Sequence, residues 1–432
     1  MFIRFLIVFS LILGNCFLSS VKAQDENLSQ PIPGQFIVKF KDQKGNASDK
    51  ANKLEAKHGA MTDHVFENSF KGAVVHVPPG KEKDLKDDSD VEQVVQDFTV
   101  YAIDKHSDSF DSEANAMSGG SMGGGTPSQI IPTGINWIDA ELNTTNEGNG
   151  VKVAVLDTGI DFSHPDLMVN IPLSRDFSGD NTGGNDNNKS IGGHGTHCAG
   201  VIAALDNSIG VLGTGSKIDL VSIKVLRSSG SGSFGGIIAG LDYVTANANT
   251  IAVTNSSFGA NGGTNPSQSY LDAVNLLRQA YQRAASAGVV NVVAAGNESV
   301  NVNTNNCSPA MFPEVITVSA VSDSNGIQDS ADTWASFSNF GSEVDIIAPG
   351  VNILSTAIGG GTSSLSGTSF SSPYVAGTVA LYISKNGRPA NGNAQFLSSL
   401  ISTISKTRSP LSGEPADGYT EPSCYANGTG LK

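Results

Sequence analysis

Val151-Lys152-Val153-Ala154-Val155-Leu156-Asp157-Thr158-Gly159 decides the fold. Apart from Lys152 the run is apolar up to Asp157 and does not alternate with polar residues, and Thr158-Gly159 supplies a tight exit. Unbroken apolar strands are expected where both faces of a sheet are covered. Working outward, comparable short runs lie at 218–226, 251–254, 289–294, 315–318 and 344–347, interleaved with helical patterns at 199–204, 237–247 and 271–287. The alternation predicts an α/β body with a mainly parallel sheet and helices on both faces. Sites on such a sheet gather at the carboxyl ends of its strands, which is where Asp157 stands.

The chain upstream of that body reads differently. Phe36-Ile37-Val38-Lys39-Phe40 and Ala73-Val74-Val75-His76-Val77 alternate like half-buried strands, 47–58 reads as an amphipathic helix, and Val91-Glu92-Gln93-Val94-Val95 adds a strand. Residues 24–104 therefore predict a small α+β domain. A Gly-, Ser- and acid-rich stretch, 105–127, has almost nothing to bury and predicts a flexible processing linker before the main domain at 128–432. At the start, Arg4 precedes an apolar run, Phe5 to Leu18, with small residues at Val21 and Ala23. The run is short for a membrane span, which needs about 20 residues. Its layout predicts a secretory signal at 1–23 and a secreted, extracellular product with no membrane anchor after removal. A net charge of −15 disfavours nucleic acid as a partner. The 49 glycines keep no period of three, so a collagen is excluded.

Three segments carry the residues of a nucleophilic hydrolase. The first delivers Asp157. The second, Gly193-His194-Gly195-Thr196-His197-Cys198, opens a helix, and the third is Gly367-Thr368-Ser369-Phe370-Ser371-Ser372-Pro373, in which Pro373 suits a first helical turn and Ser369 sits at the start. A Ser at a helix N-terminus lies beside free N–H groups that favour developing negative charge. His194 can serve as its base and Asp157 can orient the imidazole. Ala294-Ala295-Gly296-Asn297 places an amide at another strand end, able to hold an oxyanion together with the Ser369 N–H. Singly, each has an ordinary structural reading: a turn Asp, a helix-start His pair, an N-cap Ser and a turn Asn. Their conjunction in the order Asp, His, Ser is that of a subtilisin triad, and it excludes the Ser, acid, His order of an α/β-hydrolase esterase.

On these motifs, with Asp157-Thr158-Gly159-Ile160-Asp161 and His164-Pro165-Asp166-Leu167, residues 126 to about 385 resemble the subtilisin-like serine proteases, closest to the proteinase K branch. The resemblance implies that His194 is the base and His197 structural, that Gly230-Ser231-Gly232 and Ser257-Phe258-Gly259 pair with substrate backbone, and that Ala294, Ala295 and Gly296 wall the primary pocket. Residues 34 to about 103 are similar to the family's inhibitory propeptide, so the implied product is a monomeric zymogen. It would cleave proteins and peptides and be inhibited by its own propeptide. The resemblance also implies a structural calcium held by the carbonyls of Pro313 and Val315 and the carboxylate of Asp345. The rival reading, an inactive relative acting as a binding protein, predicts loss of a triad or oxyanion residue, and none is lost.

The chain departs from the family pattern in places. Phe370-Ser371 stand where Met-Ala usually follows the Ser, and the segment from about 386 is unlike the family. Once the signal is removed, Cys198, Cys307 and Cys424 remain, and one disulfide with one free thiol is the simplest count. The resemblance matches Cys198 to a buried thiol and leaves the pairing of Cys307 with Cys424 open.

Overall fold

The computed structural model describes residues 28–41, 45–103, 128–189 and 192–432. The expected signal at 1–23 and linker at 105–127 lie outside the described residues. In the N-terminal unit, β1 (Pro31–Phe40), α1 (Ala47–His58), β2 (Met61–Phe66), β3 (Gly72–His76), α2 (Glu82–Lys86) and β4 (Val91–Ala102) follow one another. All its strand pairs are antiparallel, in the order β4-β1-β3-β2. Asn46 caps α1 by accepting from the Ser48 N–H at 2.7 Å. Strand β2 escapes sequence reading because it is an edge strand with an irregular register between Thr62 and His64. It carries Asp63 and His64 and leaves Met61 exposed, as edges that avoid further pairing tend to be.

The larger body follows with α3 (Thr133–Trp137), β5 (Lys152–Asp157), β6 (Arg175–Asp176), α4 (His194–Ala203), β7 (Asp219–Lys224), β8 (Ser231–Ser233), α5 (Phe234–Ala246), β9 (Ile251–Ser256) and β10 (Phe258–Asn261). Next come α6 (Gln268–Ser286), β11 (Val290–Ala294), β12 (Cys307–Ser308), β13 (Ile316–Ser322), β14 (Thr333–Trp334), β15 (Ile346–Pro349), β16 (Ile353–Ala357) and β17 (Gly361–Leu365). The chain ends with α7 (Thr368–Asn386), α8 (Ala394–Thr403), β18 (Ser405–Lys406) and β19 (Ser423–Cys424). The main sheet runs β18-β19-β15-β13-β11-β9-β5-β7-β6, parallel from β19 to β6.

The continuity of β5 has the expected cause. Val153 and Val155 enter one core with Ile202 of α4 and Val375 and Val379 of α7. Ala154 and Leu156 enter another with Ile237 and Leu241 of α5 and Leu277 of α6. All four strand residues are fully buried, and each Val or Leu contributes about 1.5–3 kcal/mol. Strand order reverses at β5, with β7 on one side and β9 on the other, so a crevice opens at the carboxyl ends between them.

The N-terminal unit docks on α5 through two carboxylates. Asp97 of β4 is buried and accepts from the Gly235 N–H at 3.2 Å, capping α5 from outside, and burial pushes its carboxyl up to about 6. Asp242 of α5 accepts in return from the backbone N–H groups of Glu67 at 3.1 Å, Asn68 at 2.7 Å and Ser69.

Beyond 386 the chain is folded rather than appended. Strand β19 joins the edge of the main sheet, and Leu397, Leu400, Ile404 and Ala426 complete the first core. The segment is pinned by Arg408, which grips Glu414 through both guanidinium nitrogens at 2.8 Å and Glu421 at 3.2 Å. All three side chains are at most 9% exposed, and burial pushes Glu421 up to about 7 even so. Arg408→Leu should therefore cost about 3–5 kcal/mol, the usual penalty for stranding a buried charge. The bare Glu421 carboxyl would bind a proton more readily folded than unfolded, so the deficit should shrink between pH 8 and pH 5. Denaturant midpoints of both proteins at the two pH values measure this. An unchanged midpoint at pH 8 would show that the cluster does not hold the segment.

Candidate active site

Strand β5 ends on Asp157, fully buried, with its Oδ1 accepting from the Thr158 N–H at 2.6 Å. Helix α4 begins on His194, also fully buried, whose Nδ1 lies 2.8 and 2.9 Å from the two Asp157 oxygens. The approach requires Gly195: a Cβ there would collide with the Gly159 carbonyl and stand 3.0 Å from the Asp157 Cβ. The N-cap, Gly193, has no side chain to satisfy the first N–H groups of α4. They are met from outside, Gly195 by the Thr158 hydroxyl at 3.0 Å and Thr196 by Asp186 at 3.2 Å. Burial pushes Asp186 up to about 6. His197, one turn on, faces away, with Nε2 3.1 Å from the Ser363 carbonyl. Burial pushes it down to about 3, so it stays neutral.

Helix α7 begins with Thr368, and Ser369 is its second residue. Pro373 lies inside the helix, not in its first turn as expected. Its missing N–H would have bonded the Ser369 carbonyl four residues back. That carbonyl instead accepts from the Ser257 hydroxyl at 2.8 Å and from the Cys198 thiol at 3.4 Å. Burial raises the thiol well above its usual range, so it remains a protonated donor. The nucleophile candidate is thus anchored to β9's exit and to α4 together.

The Ser369 hydroxyl is in hydrogen-bond contact with the carbonyl of Ile103, the residue after β4, and lies 3.1 Å from the Ser257 carbonyl. The Asn297 Nδ2 donates to the same Ile103 carbonyl at 3.1 Å. Thr368, to which the sequence assigns no role, donates from its backbone N–H and its hydroxyl to the Asn297 Oδ1, at 2.9 and 3.0 Å, fixing the amide with its NH₂ inward.

Strand β4 fills the crevice. Tyr101 and Val100 pair antiparallel with Ser231 and Gly232, and Ala102 donates to the Gly230 carbonyl at 2.8 Å. On the other side Ala102 and Tyr101 pair with Phe258 and Gly259, and Ile103 donates to the Ser257 carbonyl at 3.3 Å. Both segments expected to bind substrate backbone thus hold the chain's own backbone. Beside Ile103 lies a cavity of about 310 Å³ whose walls include Ala294, Ala295, Gly296, Glu298, Cys307 and Ala310. Pro313, Val315 and Asp345 do not line it. Asp345 is bound to the Thr317 N–H at 2.8 Å.

The expected disulfide is not formed, because the three thiols occupy separate buried places. Cys198 lies under α7, Cys307 is 3.9 Å from the Asn339 amide in the crevice wall, and Cys424 meets the Thr378 hydroxyl at 3.4 Å. Sequence reasoning missed Thr158, Asp186, Thr368 and Ile103. The first three are polar loop or cap residues without a pattern of their own, and Ile103 acts through its backbone.

Residues 148–416 match the model of the subtilase family. The chain is 42% identical over 278 residues to Subtilisin NAT of Bacillus subtilis subsp. natto, covering 64% of this chain and 66% of that protein. It is 42% identical over the same length to Subtilisin of Bacillus pumilus, covering 92% of the latter. Alkaline serine protease ver112 of Corniculantispora psalliotae is 34% identical over 401 residues, 90% of this chain and 89% of that one. A crystal structure of a cold adapted subtilisin-like serine proteinase superposes with a TM-score of 0.54 at 31% identity, over 69% of this chain and 98% of its own. With the matched residues spanning both ends of the Asp157, His194 and Ser369 arrangement, the chain belongs to the subtilase family of serine-type peptidases.

Proposed function

We propose that the chain is a secreted serine endopeptidase made as a self-inhibited zymogen. The observation that carries this reading is the Ile103 carbonyl, which meets both the Ser369 hydroxyl and the Asn297 amide. In the reaction so read, His194 takes the Ser369 proton as Oγ attacks a substrate carbonyl. Asp157 stabilises the imidazolium, and Asn297 with the Ser369 N–H stabilises the oxyanion. His194 then protonates the leaving amine, and water releases the acyl-enzyme by the same steps in reverse. Proteins and peptides are the substrates, bound as a strand between β8 and β10. A monomer suffices, since all four groups come from one chain. The proteinase K-like branch is supported by Cys198 directly after His197. Secretion is supported by the basic and apolar pattern of 1–23.

The 24–104 unit is read as the inhibitory propeptide, with Val100 to Ile103 lying where substrate would. The bond after Ile103 is then the processing bond, one bond upstream of the linker region. Ser369→Ala should leave the chain unprocessed, whereas the wild-type product should begin at Asp104 before any later trimming. Asn297→Ala should process and turn over about a hundredfold to a thousandfold more slowly, the loss expected for one oxyanion donor in a subtilisin-type site. N-terminal sequencing and anilide hydrolysis measure both. Processing by Ser369→Ala at the wild-type rate would overturn the assignment.

Asp242→Ala removes the acceptor of three N–H groups in the 67–69 turn. The isolated 24–103 peptide, added to mature enzyme, should inhibit that variant at least tenfold more weakly than wild type. Equal inhibition would mean that the docking carboxylate contributes nothing to propeptide affinity.

Calcium is proposed at Pro313, Val315 and Asp345. Asp345 fits such a site: it is a buried carboxyl pushed up to about 7 by burial, with Glu343 and Glu421 adding to the rise. Arg278 and Gln282 hold Glu314 between the two carbonyls and so steady the loop. A bound calcium would neutralise the carboxylate and accept oxygen ligands only. With its folded pKa raised above the unfolded value, Asp345 destabilises the ion-free fold progressively as pH rises through about 4 to 7. Calcium, which needs the ionised form, should therefore raise the melting temperature more at pH 8 than at pH 5. Asp345→Asn should abolish the difference. Equal calcium shifts in both proteins at pH 8 would remove the ion from this place.

A further inference from the structure

Phe370 departs from the family pattern and stands directly after the nucleophile candidate. Its side chain is fully buried, wedged between two imidazoles. The ring centroid lies 5.3 Å from that of His194 at an interplanar angle of 53°, and 4.5 Å from that of His197 at 66°. His197 is itself tethered to the Ser363 carbonyl and stays neutral, so Phe370 is backed by a rigid ring and cannot swing away from His194.

We propose that Phe370 is a positioning residue for His194, holding the imidazole against Asp157 and stabilising its protonated form through the aromatic ring. The inference rests on the serine-peptidase reading of the site. A cation over the face of an aromatic ring and within about 6 Å of its centroid is attracted by the ring's quadrupole, and more strongly where water is excluded. In the reaction so read, His194 becomes a cation as it takes the Ser369 proton, so an attraction of this kind favours the transition state. Other groups among the described residues surround this pair of rings. Asp157 of β5 binds Nδ1. Asp186, before α4, adds a second buried acid. From α4 come neutral His197 and the protonated Cys198 thiol. From α7 comes Ser369. On β7 the buried Lys224 points at the Thr158 and Leu226 carbonyls, at 2.7 and 2.8 Å, and is paired with Asp180 at 3.2 Å. Phe370 is the group in this set whose effect is set by ring electrons rather than by a formal charge or a hydrogen bond.

The test is a graded one on the mature enzyme. Phenylalanine at 370 is replaced by its 4-fluoro, 3,4,5-trifluoro and pentafluoro forms, which keep the ring nearly constant in size while draining its quadrupole, and by Leu and Tyr. The pH dependence of kcat/KM for a peptide anilide is recorded for each, with unfolding midpoints alongside. The acid limb should move steadily to lower pH with fluorination, by about half a pH unit at the pentafluoro form. Plateau kcat should fall severalfold in the same order, the Leu variant should match the pentafluoro form, and Tyr should restore the wild-type limb. Superimposed limbs across the fluorinated series would overturn the proposal, even if Phe370→Leu alone lost activity or stability. Ser369→Ala assayed on the same anilide separates the two readings: turnover in that variant would undo the site assignment itself, whatever the fluorinated series shows.

Discussion

Everything at the candidate site depends on how closely α4 can approach the end of β5. The contact is made by Gly195 against Gly159, where no side chain fits, and it brings an imidazole and a carboxylate together with neither exposed to water. Burying such a pair is unfavourable unless the remaining lone pairs and N–H groups are satisfied. Here the Thr158 N–H donates to Asp157, while the Thr158 hydroxyl and Asp186 accept from the first N–H groups of α4 behind His194. Lys224 holds the Thr158 carbonyl from the next strand. The position of the base is therefore fixed by the end of β5 together with the loop residues Thr158 and Asp186.

The nucleophile candidate is fixed by a different device. Placing a proline four residues after Ser369 forfeits one helical hydrogen bond, and in a helix interior that is normally costly. The freed carbonyl is recovered by Ser257 and Cys198, which belong to the two elements flanking the crevice. What looks like a defect in α7 thereby becomes a joint between α7, α4 and the Ser257 link between β9 and β10. Small hydroxyl and thiol groups suit that joint because each reaches one carbonyl without pushing the helices apart.

How much of this was legible in the sequence follows from which interactions leave a periodic trace. Residues 153–156 show an unbroken apolar run because two cores claim alternate side chains, so the parallel sheet could be read directly. Asp157, His194, Ser369 and Asn297 sit at element ends, which the sequence marks, and the order of the first three singles them out as candidates. Ser231 to Ser233 form a strand with no apolar pattern at all, since its stability comes from backbone pairing with β4; only the family resemblance singled out its neighbourhood. Thr368, Asp186 and Ile103 were illegible because their work is done by one hydroxyl, one carboxylate and one carbonyl, each directed at a partner remote in sequence. Counting cysteines failed for the related reason that pairing is a matter of distance, and each thiol has a local partner instead.

The continuous pairing from β2 through β4 to β10 and β12 also explains why a small unit can close the crevice so completely. Its sheet does not merely cover the opening: its last strand is shared, hydrogen-bonded to β1 within the unit and to β8 and β10 beyond it. Backbone pairing of that kind carries affinity without depending on side-chain identity. The side chains then add what backbone cannot, namely Asp97 on the start of α5 and the buried Phe98 and Val100 against the second core. A lone extended segment could reproduce the shared strand but not the sheet behind it. The unit's hold on the crevice therefore resides as much in β1 to β3 and the two docking carboxylates as in the shared strand.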